Sequence, residues 1–550
     1  MTDLTGKRKL SPADLALMCL SGVLTFAVAY TFALRGVDPH HDGVMLKTAA
    51  DVAGGLALYR ETFTQYGSLV IYVFALFVKL FGVQITSIQL ATCLAYGGCA
   101  MLLYAIVRRY AGAVVAFLCP LVTIGLAAFW FWNFHPWSSV FALLLSMVAC
   151  LFMMRYTETR KNSQLFFCGL ATAAMFWCRQ PAGLTAACGL MMLLGLWAVG
   201  FDRFRPLWKG FLWFAAGNVL VHAVFLGVIL VQGAFSDWWI QAIRNAFTFA
   251  AEPTPETAAN LPDTLWELFF IGVKLNPQYD WLWRVLTHGT LTYFIVLLAV
   301  AFRQKKTKGA PDGAVLGCIA FAAFSLFNWV HYYPTLCYRH MFWSDYTMVG
   351  VLAVGVFQGA AWLVRKVPAE KTRRLLTTGL TCCLVVALCA TNLFVRVRYG
   401  KSRLTGGGTG ADFFTPEVAE EDTVLLYHRA DWPFLNGLYL SERETRFYDG
   451  LFDAVTAAKA AYPEKNVVNV TPNALFSLFS LDNVHLHAFA LRADGYPEQT
   501  RIVDDYIKAE KPILISCIPY EGYRAAVTLT DFNGDYFRFA PMMVLLPEEE

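Results

Sequence analysis

The chain of 550 residues is 57% hydrophobic and only 15% charged, against about 25% charged residues in an ordinary soluble domain. Its formal net charge is +4 and its basic residues occur in short clusters, which argues against the broad cationic face of a nucleic-acid-binding protein. The 14 cysteines lie mostly in apolar stretches and show no CxxC metal pattern or disulfide framework. This composition favours an integral membrane protein.

A helix that crosses the bilayer core needs about twenty apolar residues. Eleven stretches are candidates, and they lie at 13–34, 86–107, 111–132, 137–154, 163–178, 182–200, 210–232, 286–302, 313–331, 345–364 and 375–395. The first stretch has no small-residue cleavage site after it and is expected to be retained. With the N-terminus in the cytoplasm, every loop assigned to that side is basic, as the positive-inside rule requires. We therefore predict a polytopic α-helical membrane protein with about eleven transmembrane helices.

The first non-cytoplasmic loop, residues 35–85, contains two further apolar patterns. The spacing in residues 43–55 predicts a helix that lies on the membrane surface. Residues 67–82 are apolar but short, and counting them as a span would place Arg108 and Arg109 outside and reverse every later loop. We therefore interpret 67–82 as an interfacial or re-entrant helix.

A second unit is predicted after the last span. The glycine-rich stretch TGGGTG after Arg403 has the composition of a flexible linker. It is followed by strand-like pieces (TVLLYH, VVNV, PILISCI) that alternate with helical ones (DAVTAAKAA, RIVDDYIKAE). We predict a transmembrane module over residues 1–400 and a soluble α/β domain over 401–550, on the non-cytoplasmic side.

Several motifs, taken in order, resemble a known superfamily. The first loop reads HDGVMLKTAADVAGGLALYRETFTQYG, and it is followed along the chain by WNFHPW, CRQPAGL, YRHMFWSDY, GLYLSERETRF and EKPILIS. This series resembles the GT-C membrane glycosyltransferases, such as the protein O-mannosyltransferases and the lipid A aminoarabinose transferase. The resemblance implies a GT-C fold and an inverting transfer of a sugar from a polyprenyl-phosphate donor to a lipid, glycan or protein acceptor outside the cytoplasm.

In that superfamily a carboxylate of the first loop acts as the base, and the matching residue here is Asp42. Asp38 is the second candidate, because His41 precedes Asp42 where relatives commonly have an Asp-Glu pair. Which of the two carboxylates is the base stays open, and capping or solvating the loop is the alternative role for both. Glu61 matches the acidic position of the YR-acidic pattern and is expected to orient the acceptor or Arg60, or else to pair with Arg60 as a surface charge.

The donor phosphate needs cations, and arginine grips phosphate oxygens in pairs. Arg60, Arg179, Arg339 and His340 are the candidates for this role. Relatives often carry an acidic residue, lysine and proline before the apolar helix of the first loop. This sequence has Gln65 and Tyr66 there, which are candidate substrate-binding residues without the lysine charge. His135, in WNFHPW, is a further candidate for substrate contact.

A metal site and a cofactor are not expected. His40 and His41 lie beside Asp42, but adjacent side chains point in different directions and no further ligand follows at a fixed spacing. The alternative functions are a transporter of lipid-linked glycans and a polymerase of the cell envelope. The spans hold few carboxylates and no internal repeat is visible, which argues against a transporter. A bacterial cytoplasmic (inner) membrane is the expected location.

Overall fold

The computed structural model describes most of the chain. The described residues are 10–127, 134–201, 204–244, 277–332, 338–404, 424–471, 473–480, 497–530 and 541–548.

All secondary-structure elements described up to residue 404 are helices. Its α-helices are α1 (Pro12–Ala33), α2 (His41–Ala53), α3 (Ser68–Phe81), α4 (Ile85–Arg108), α5 (Ala113–Ala127), α6 (Ser138–Thr159), α7 (Asn162–Cys178), α8 (Gln180–Gly200), α9 (Phe204–Val231), α10 (Phe235–Trp238), α11 (Pro277–Lys308), α12 (Gly313–Phe327), α13 (Tyr338–Asp345), α14 (Met348–Leu363) and α15 (Glu370–Leu404). A π-helix (Trp239–Arg244) continues α10, and a 3-10 helix (Asn328–Tyr332) continues α12.

Each of the eleven predicted spans falls on one of these helices. In the part of the chain that the structure describes, nine helices are long and apolar enough to cross a membrane. The remaining two candidates are α5, with 15 residues, and α7, with 17 residues. The chain is therefore a multi-pass membrane protein, while the count of eleven spans stays a prediction.

An ion pair between α1 and α4 decides how the first loop is threaded. The Arg108 side chain donates to Asp14 with an Nε–Oδ1 distance of 2.6 Å, and Tyr104 donates to the same carboxylate. The start of α1 and the end of α4 therefore lie at the same end of the bundle, so α3 between them makes no separate crossing. The 14 residues of α3 extend about 21 Å, which is shorter than the bilayer core of about 30 Å.

Other contacts gather at this same end. Arg109, which follows α4, pairs with Glu158 near the end of α6. The side chain of Lys305, near the end of α11, donates to the carbonyl of Gly200 at the end of α8. We call this the basic end of the bundle. The first loop, residues 34–84, lies at the opposite end, which we call the loop end.

The C-terminal part contains two small sheets and two long helices. Its elements are β1 (Val424–Leu426), β2 (Tyr439–Ser441), α16 (Glu442–Ala461), β3 (Val467–Asn469), α17 (Pro497–Glu510), β4 (Ile513–Ser516), β5 (Tyr523–Leu529) and β6 (Met542–Pro547). β1 and β2 form an antiparallel pair, and the larger sheet has the order β3-β4-β6-β5. β3 and β4 are parallel, and α17 lies in the long connection that such a pair requires. The predicted α/β character is confirmed, although β2, β5 and β6 were not anticipated.

The C-terminal part packs on the loop end of the bundle. The backbone N–H of Tyr439 donates to the carbonyl of Leu34 (2.7 Å), and the N–H of Gly36 donates back to the carbonyl of Tyr439 (2.9 Å). A 3-10 helix (Ala474–Ser480) lies against α2. The prediction that α2 lies on the membrane surface is therefore wrong, because residues 42–51 are all buried and both α3 and this 3-10 helix pack on α2.

Candidate active site

Asp42 lies in the first turn of α2, where a carboxylate is favoured by the helix dipole. Its Oδ2 atom accepts a hydrogen bond from the backbone N–H of Asp38 (2.8 Å). Asp38 in turn accepts through Oδ1 from the N–H groups of His40 (3.1 Å) and His41 (3.0 Å). Asp38 thus organises the turn that begins the helix, while the second oxygen of Asp42 is directed elsewhere.

The partner of Asp42 across the bundle is His135. The Nδ1 atom of His135 lies 2.7 Å from Oδ1 and 2.8 Å from Oδ2 of Asp42. Both side chains are fully buried. An ionised carboxylate only accepts hydrogen bonds, so Nδ1 of His135 carries the proton and donates it. The imidazole therefore fixes the orientation of the carboxylate.

A row of aromatic rings continues from Asp42 towards α13. The His41 ring lies 4.2 Å from that of Trp137, which lies 5.4 Å from the ring of Trp343. The His340 ring lies 5.5 Å from Trp343, whose Nε1 donates to the hydroxyl of Tyr96 (2.8 Å). This row brings His340 to the same end of the bundle as Asp42. Arg339 precedes it in α13, but its side chain lies outside the described residues.

Arg179 reaches the segment that carries His135. It lies between α7 and α8, and its Nη1 atom donates to the hydroxyl of Ser139 in the first turn of α6. Ser139 follows His135 by only four residues. A guanidinium group and the Asp42–His135 pair are therefore held by one short stretch of chain.

The C-terminal part forms the roof of this site. The N–H of Leu475 donates to the carbonyl of Pro39 (2.8 Å). A Cβ atom added to Gly43 would stand 2.0 Å from the nitrogen of Leu475, so only glycine permits this approach of the two backbones. We use the term roof for residues 473–480 together with Tyr448 of α16.

Tyr448 is an electrostatic neighbour of the carboxylates. Burial raises the pKa of this phenol well above its usual value, and the negative charges of Glu444, Asp42 and Asp38 raise the pKa further. Its hydroxyl therefore stays protonated at neutral pH. Sequence analysis missed Tyr448, because nothing in the local pattern of α16 indicates which distant loop it will face.

Arg60 and Glu61 lie at the edge of the first loop. The Arg60 side chain is 52% exposed, pairs with Glu61 at 3.2 Å and donates to the carbonyl of Gln232 (3.0 Å). Glu61 also accepts from the N–H of Ala57 (2.7 Å), which closes a turn. These contacts close the turn around Glu61 and tie the first loop to the segment after α9.

Gln65 and Tyr66 act through their backbones in the connection to α3. The carbonyl of Gln65 accepts from the amide of Gln180 (3.3 Å), and the carbonyl of Tyr66 accepts from the hydroxyl of Tyr59 (2.8 Å). The Tyr66 ring packs beside Phe63. These contacts hold the start of α3 against α8.

A buried ion pair in α2 was not anticipated from the sequence. The ammonium group of Lys47 lies 2.6 Å and 2.8 Å from the two carboxylate oxygens of Asp51, and both side chains are fully buried. The hydroxyl of Thr62 donates to the same carboxylate (2.9 Å). The pair ties α2 to the turn before α3, and its spacing of four residues is the only trace it leaves in the sequence.

Metal-ligating side chains do not cluster in the part of the chain that the structure describes. No group of three or more His, Cys, Asp or Glu residues there could hold a metal ion. His40 and His41 stack against one another edge to face at 4.8 Å.

The sequence was compared with protein-family profiles and with curated proteins. The sequence profile of the dolichyl-phosphate-mannose-protein mannosyltransferase family matches residues 67–230. A comparison with the curated proteins finds no significant match.

Three solved structures of two proteins align with the chain. The crystal structure of ArnT from Cupriavidus metallidurans in the apo state aligns with 12% identity and a TM-score of 0.52, over 97% of this chain and 98% of that chain. The same protein bound to undecaprenyl phosphate aligns with 11% identity and a TM-score of 0.46, over 96% and 97% of the two chains. The apo oligosaccharyltransferase of Archaeoglobus fulgidus aligns with 10% identity and a TM-score of 0.43. This chain is aligned over 70% of its own length there and spans only 56% of that longer protein.

The apo ArnT structure shows that the architecture extends over nearly the whole chain, including the C-terminal part. The family profile compares sequence rather than fold, and its match runs from α3 to α9. The profile thus matches less than half of the chain, and the apo ArnT structure shows a shared fold over nearly all of it.

Proposed function

We propose that the protein transfers a sugar from a polyprenyl-phosphate donor to an acceptor hydroxyl or amine, with Asp42 as the general base. The observation that carries the proposal is the buried Asp42 carboxylate, oriented by His135 at 2.7 Å in a loop beside the segment that binds Arg179. The name of the matched family contains a dolichyl-phosphate sugar, which supports a polyprenyl-phosphate donor here.

The chemistry asks little of the protein beyond one base and one anion site. Asp42 takes the proton of the acceptor while the acceptor's oxygen or nitrogen forms a bond to the anomeric carbon. The bond from that carbon to the phosphate oxygen breaks, and the phosphate leaves with the electron pair. A single displacement of this kind inverts the anomeric carbon. His135 and Asp38 are positioning residues that hold Asp42.

Cations at the loop end stabilise the leaving phosphate. Arg179 is the first candidate, because it reaches the same segment as His135. His340 is a second candidate, because the aromatic row links it to the loop that carries Asp42. Arg339 is a third candidate by its place in α13. Arg60, Glu61, Gln65 and Tyr66 are expected to affect the reaction only by shaping the loop.

The C-terminal region, 401–550, is proposed as a soluble domain that roofs the site and helps to select the acceptor, with residues 1–400 as the membrane module. The acceptor is a lipid, a glycan or a protein. The basic end of the bundle would face the cytoplasm by the positive-inside rule, which puts the N-terminus inside and the site outside. A bacterial inner membrane is the proposed location.

Purified protein offered a synthetic polyprenyl-phosphate sugar tests the proposal. Asp42→Asn is expected to lower turnover by about 10²–10⁴-fold, the usual contribution of a general base. Asp38→Asn decides between the two carboxylates of the loop: its amide oxygen can still accept from the N–H groups of His40 and His41, so a smaller loss of turnover than in Asp42→Asn is expected. Undiminished turnover in Asp42→Asn would falsify the role of Asp42.

The same preparation discriminates between the alternative functions. A transporter would move the intact lipid-linked glycan across a vesicle membrane without cleaving the bond to phosphate. A polymerase would depend on residues of the 233–285 loop rather than on Asp42. Either outcome would replace the proposed reaction.

A further inference from the structure

His331 is a buried imidazole that the proposed reaction has not yet used. It lies in the 3-10 helix Asn328–Tyr332, is fully buried, and neither ring nitrogen has a hydrogen-bond partner among the described residues. A buried polar group without a partner is destabilising, because it has lost its hydrogen bonds to water. A ligand that bonds to this ring would offset that cost.

A second orphan lies at the same end of the bundle. The hydroxyl of Ser138, at the start of α6, is buried and has no partner among the described residues. Thr157, near the end of α6, donates to the carbonyl of Gly313 at the start of α12 (3.2 Å), so the two helices run antiparallel. The 3-10 helix that ends α12 therefore packs beside the start of α6, which brings His331 to the level of Ser138.

A fixed positive charge completes the group. Arg179 acts on His331 electrostatically, and its guanidinium donates to Ser139, the neighbour of Ser138. The 3-10 helix also packs against α8, which begins immediately after Arg179. An imidazole, a hydroxyl and a guanidinium group thus lie at the loop end, close to the segment that carries His135.

This set of groups matches one class of ligand. The guanidinium group supplies charge and a planar pair of N–H donors, while the hydroxyl and an imidazole N–H supply single donors. An anion with several oxygen atoms can accept from all three, and arginine is favoured where phosphate is bound. A neutral sugar could not form the charge-assisted hydrogen bonds that a guanidinium group makes with an anion.

We propose that His331, Ser138 and Arg179 bind the phosphate group of the lipid-linked donor. The inference rests on the proposed function for the identity of the donor, but the phosphate site itself is independent of turnover. His331 is thereby assigned a direct contact with substrate.

The test measures binding rather than catalysis. Wild-type protein in lipid nanodiscs is titrated with undecaprenyl phosphate, with undecaprenol, which lacks the phosphate, and with inorganic phosphate as competitor. We expect undecaprenyl phosphate to bind more tightly than undecaprenol, and His331→Leu to weaken phosphate-lipid binding at least about tenfold. His331→Gln, which keeps an N–H donor, should restore part of the loss. Undecaprenol binding should be the same in all variants.

Two controls separate a binding role from a structural one. His222→Leu is the matched substitution, since His222 already accepts a hydrogen bond from Trp177 Nε1 (3.1 Å) and should leave phosphate-lipid affinity unchanged. The thermal midpoint of ligand-free His331→Leu should equal or exceed that of the wild type, because an unsatisfied polar group is removed. If His331→Leu does not fold, Ser138→Ala provides the same comparison.

The possible outcomes are distinct. Equal affinity for undecaprenyl phosphate and undecaprenol, or unchanged affinity in both His331→Leu and Ser138→Ala, would overturn the phosphate site even if Asp42-dependent turnover is observed. His331-dependent phosphate binding without any sugar transfer would support the site and reject the proposed reaction. Competition by inorganic phosphate would show that the anion is recognised by itself; its absence, with His331-dependent lipid binding, would show that recognition needs the lipid-attached phosphate.

Discussion

Asp42 illustrates how a single carboxylate becomes suited to one task. Its two oxygens accept from the backbone of Asp38 and from the imidazole of His135, at distances between 2.7 and 2.8 Å. Neither donor is mobile, since Asp38 is part of the turn and His135 is fully buried. Geometry of this kind leaves the carboxylate little freedom to rotate, and a base that is held in place avoids the entropy loss of being positioned during the reaction.

Among the arginines, burial separates two roles. Arg60→Ala should leave the KM for the donor within about twofold of the wild-type value, because its half-exposed side chain contributes a surface ion pair worth at most about 1 kcal/mol. Arg179→Ala should raise that KM at least about tenfold, since charge-assisted hydrogen bonds to an anion are lost. Initial rates over a range of donor concentrations give both values.

The Lys substitution at each position sharpens this comparison. Arg179→Lys keeps the charge but loses the planar pair of donors, so only partial recovery is expected. Arg60→Lys should behave like the wild type. Equal effects of the two alanine variants would mean that Arg60, and not only Arg179, serves the donor.

The sequence indicates candidate side chains for the chemistry but not the partners that these side chains contact. Asp42 and His135 were both named as candidates, but they are 93 residues apart and no local pattern shows that they touch. Arg60 and Glu61 were named from a motif, yet in the fold they mainly clamp their own loop. The difference arises because a motif records residue types, whereas burial depends on which distant segment covers them.

At the scale of elements, the contact between α2 and the roof is the tightest. Gly43→Ala should uncouple them, because the added methyl group would stand 2.0 Å from the nitrogen of Leu475 and backbone atoms cannot move aside easily. We expect faster hydrogen exchange at the amide of Leu475, which donates to Pro39, and a loss of activity. Hydrogen-exchange mass spectrometry of the wild type and the variant measures the first effect.

A matched glycine provides the control for that variant. Gly55, at the end of the same helix region, has no atom within 4 Å of an added Cβ. Its φ of +103° means that alanine there strains only the local turn. Gly55→Ala should therefore leave exchange at Leu475 unchanged, and a similar acceleration in both variants would contradict the uncoupling.

Hydrophobic patterns predicted the helices because a lipid-facing helix needs a continuous apolar stretch. The short helix α3 was interpreted correctly as a non-crossing element, and the Asp14–Arg108 pair supplies the geometric reason. The exposure of α2 was predicted wrongly, since the 3-10 helix that buries it comes more than 400 residues later. Strands β2, β5 and β6 were missed for a related reason. Each is defined by the strand that it pairs with, β2 by β1 and β5 by β6, and not by a local pattern of its own.

On the scale of the whole molecule, the contacts assign opposite ends to two sets of residues. Lys306 lies near the end of α11, at the basic end. Asp453 lies in α16, which directly follows strand β2, and β2 is hydrogen-bonded to the first loop. Single cysteines at these two positions should therefore react from opposite sides of a sealed membrane. We expect a membrane-impermeant thiol reagent to label Asp453→Cys in intact cells and Lys306→Cys only after permeabilisation.

The native thiols need to be controlled in this labelling. Cys19, Cys188 and Cys383 are exposed outside the protein core, whereas many of the others are buried. Replacing these three and the partly exposed Cys382 and Cys517 by serine provides the background, whose own labelling is measured and subtracted. Labelling of both introduced cysteines from the same side would contradict the threading of the bundle.

The roof over Asp42 has a consequence for the rate of turnover. In the proposed reaction the fully buried Asp42 must become accessible to the acceptor, and separation of residues 473–480 from α2 would expose it by breaking the Leu475–Pro39 hydrogen bond. Opening therefore precedes each encounter, and its equilibrium multiplies the intrinsic rate of the chemical step. Acceptors that bind residues 473–480 in the separated position would raise the rate by holding the site open, without changing Asp42 itself.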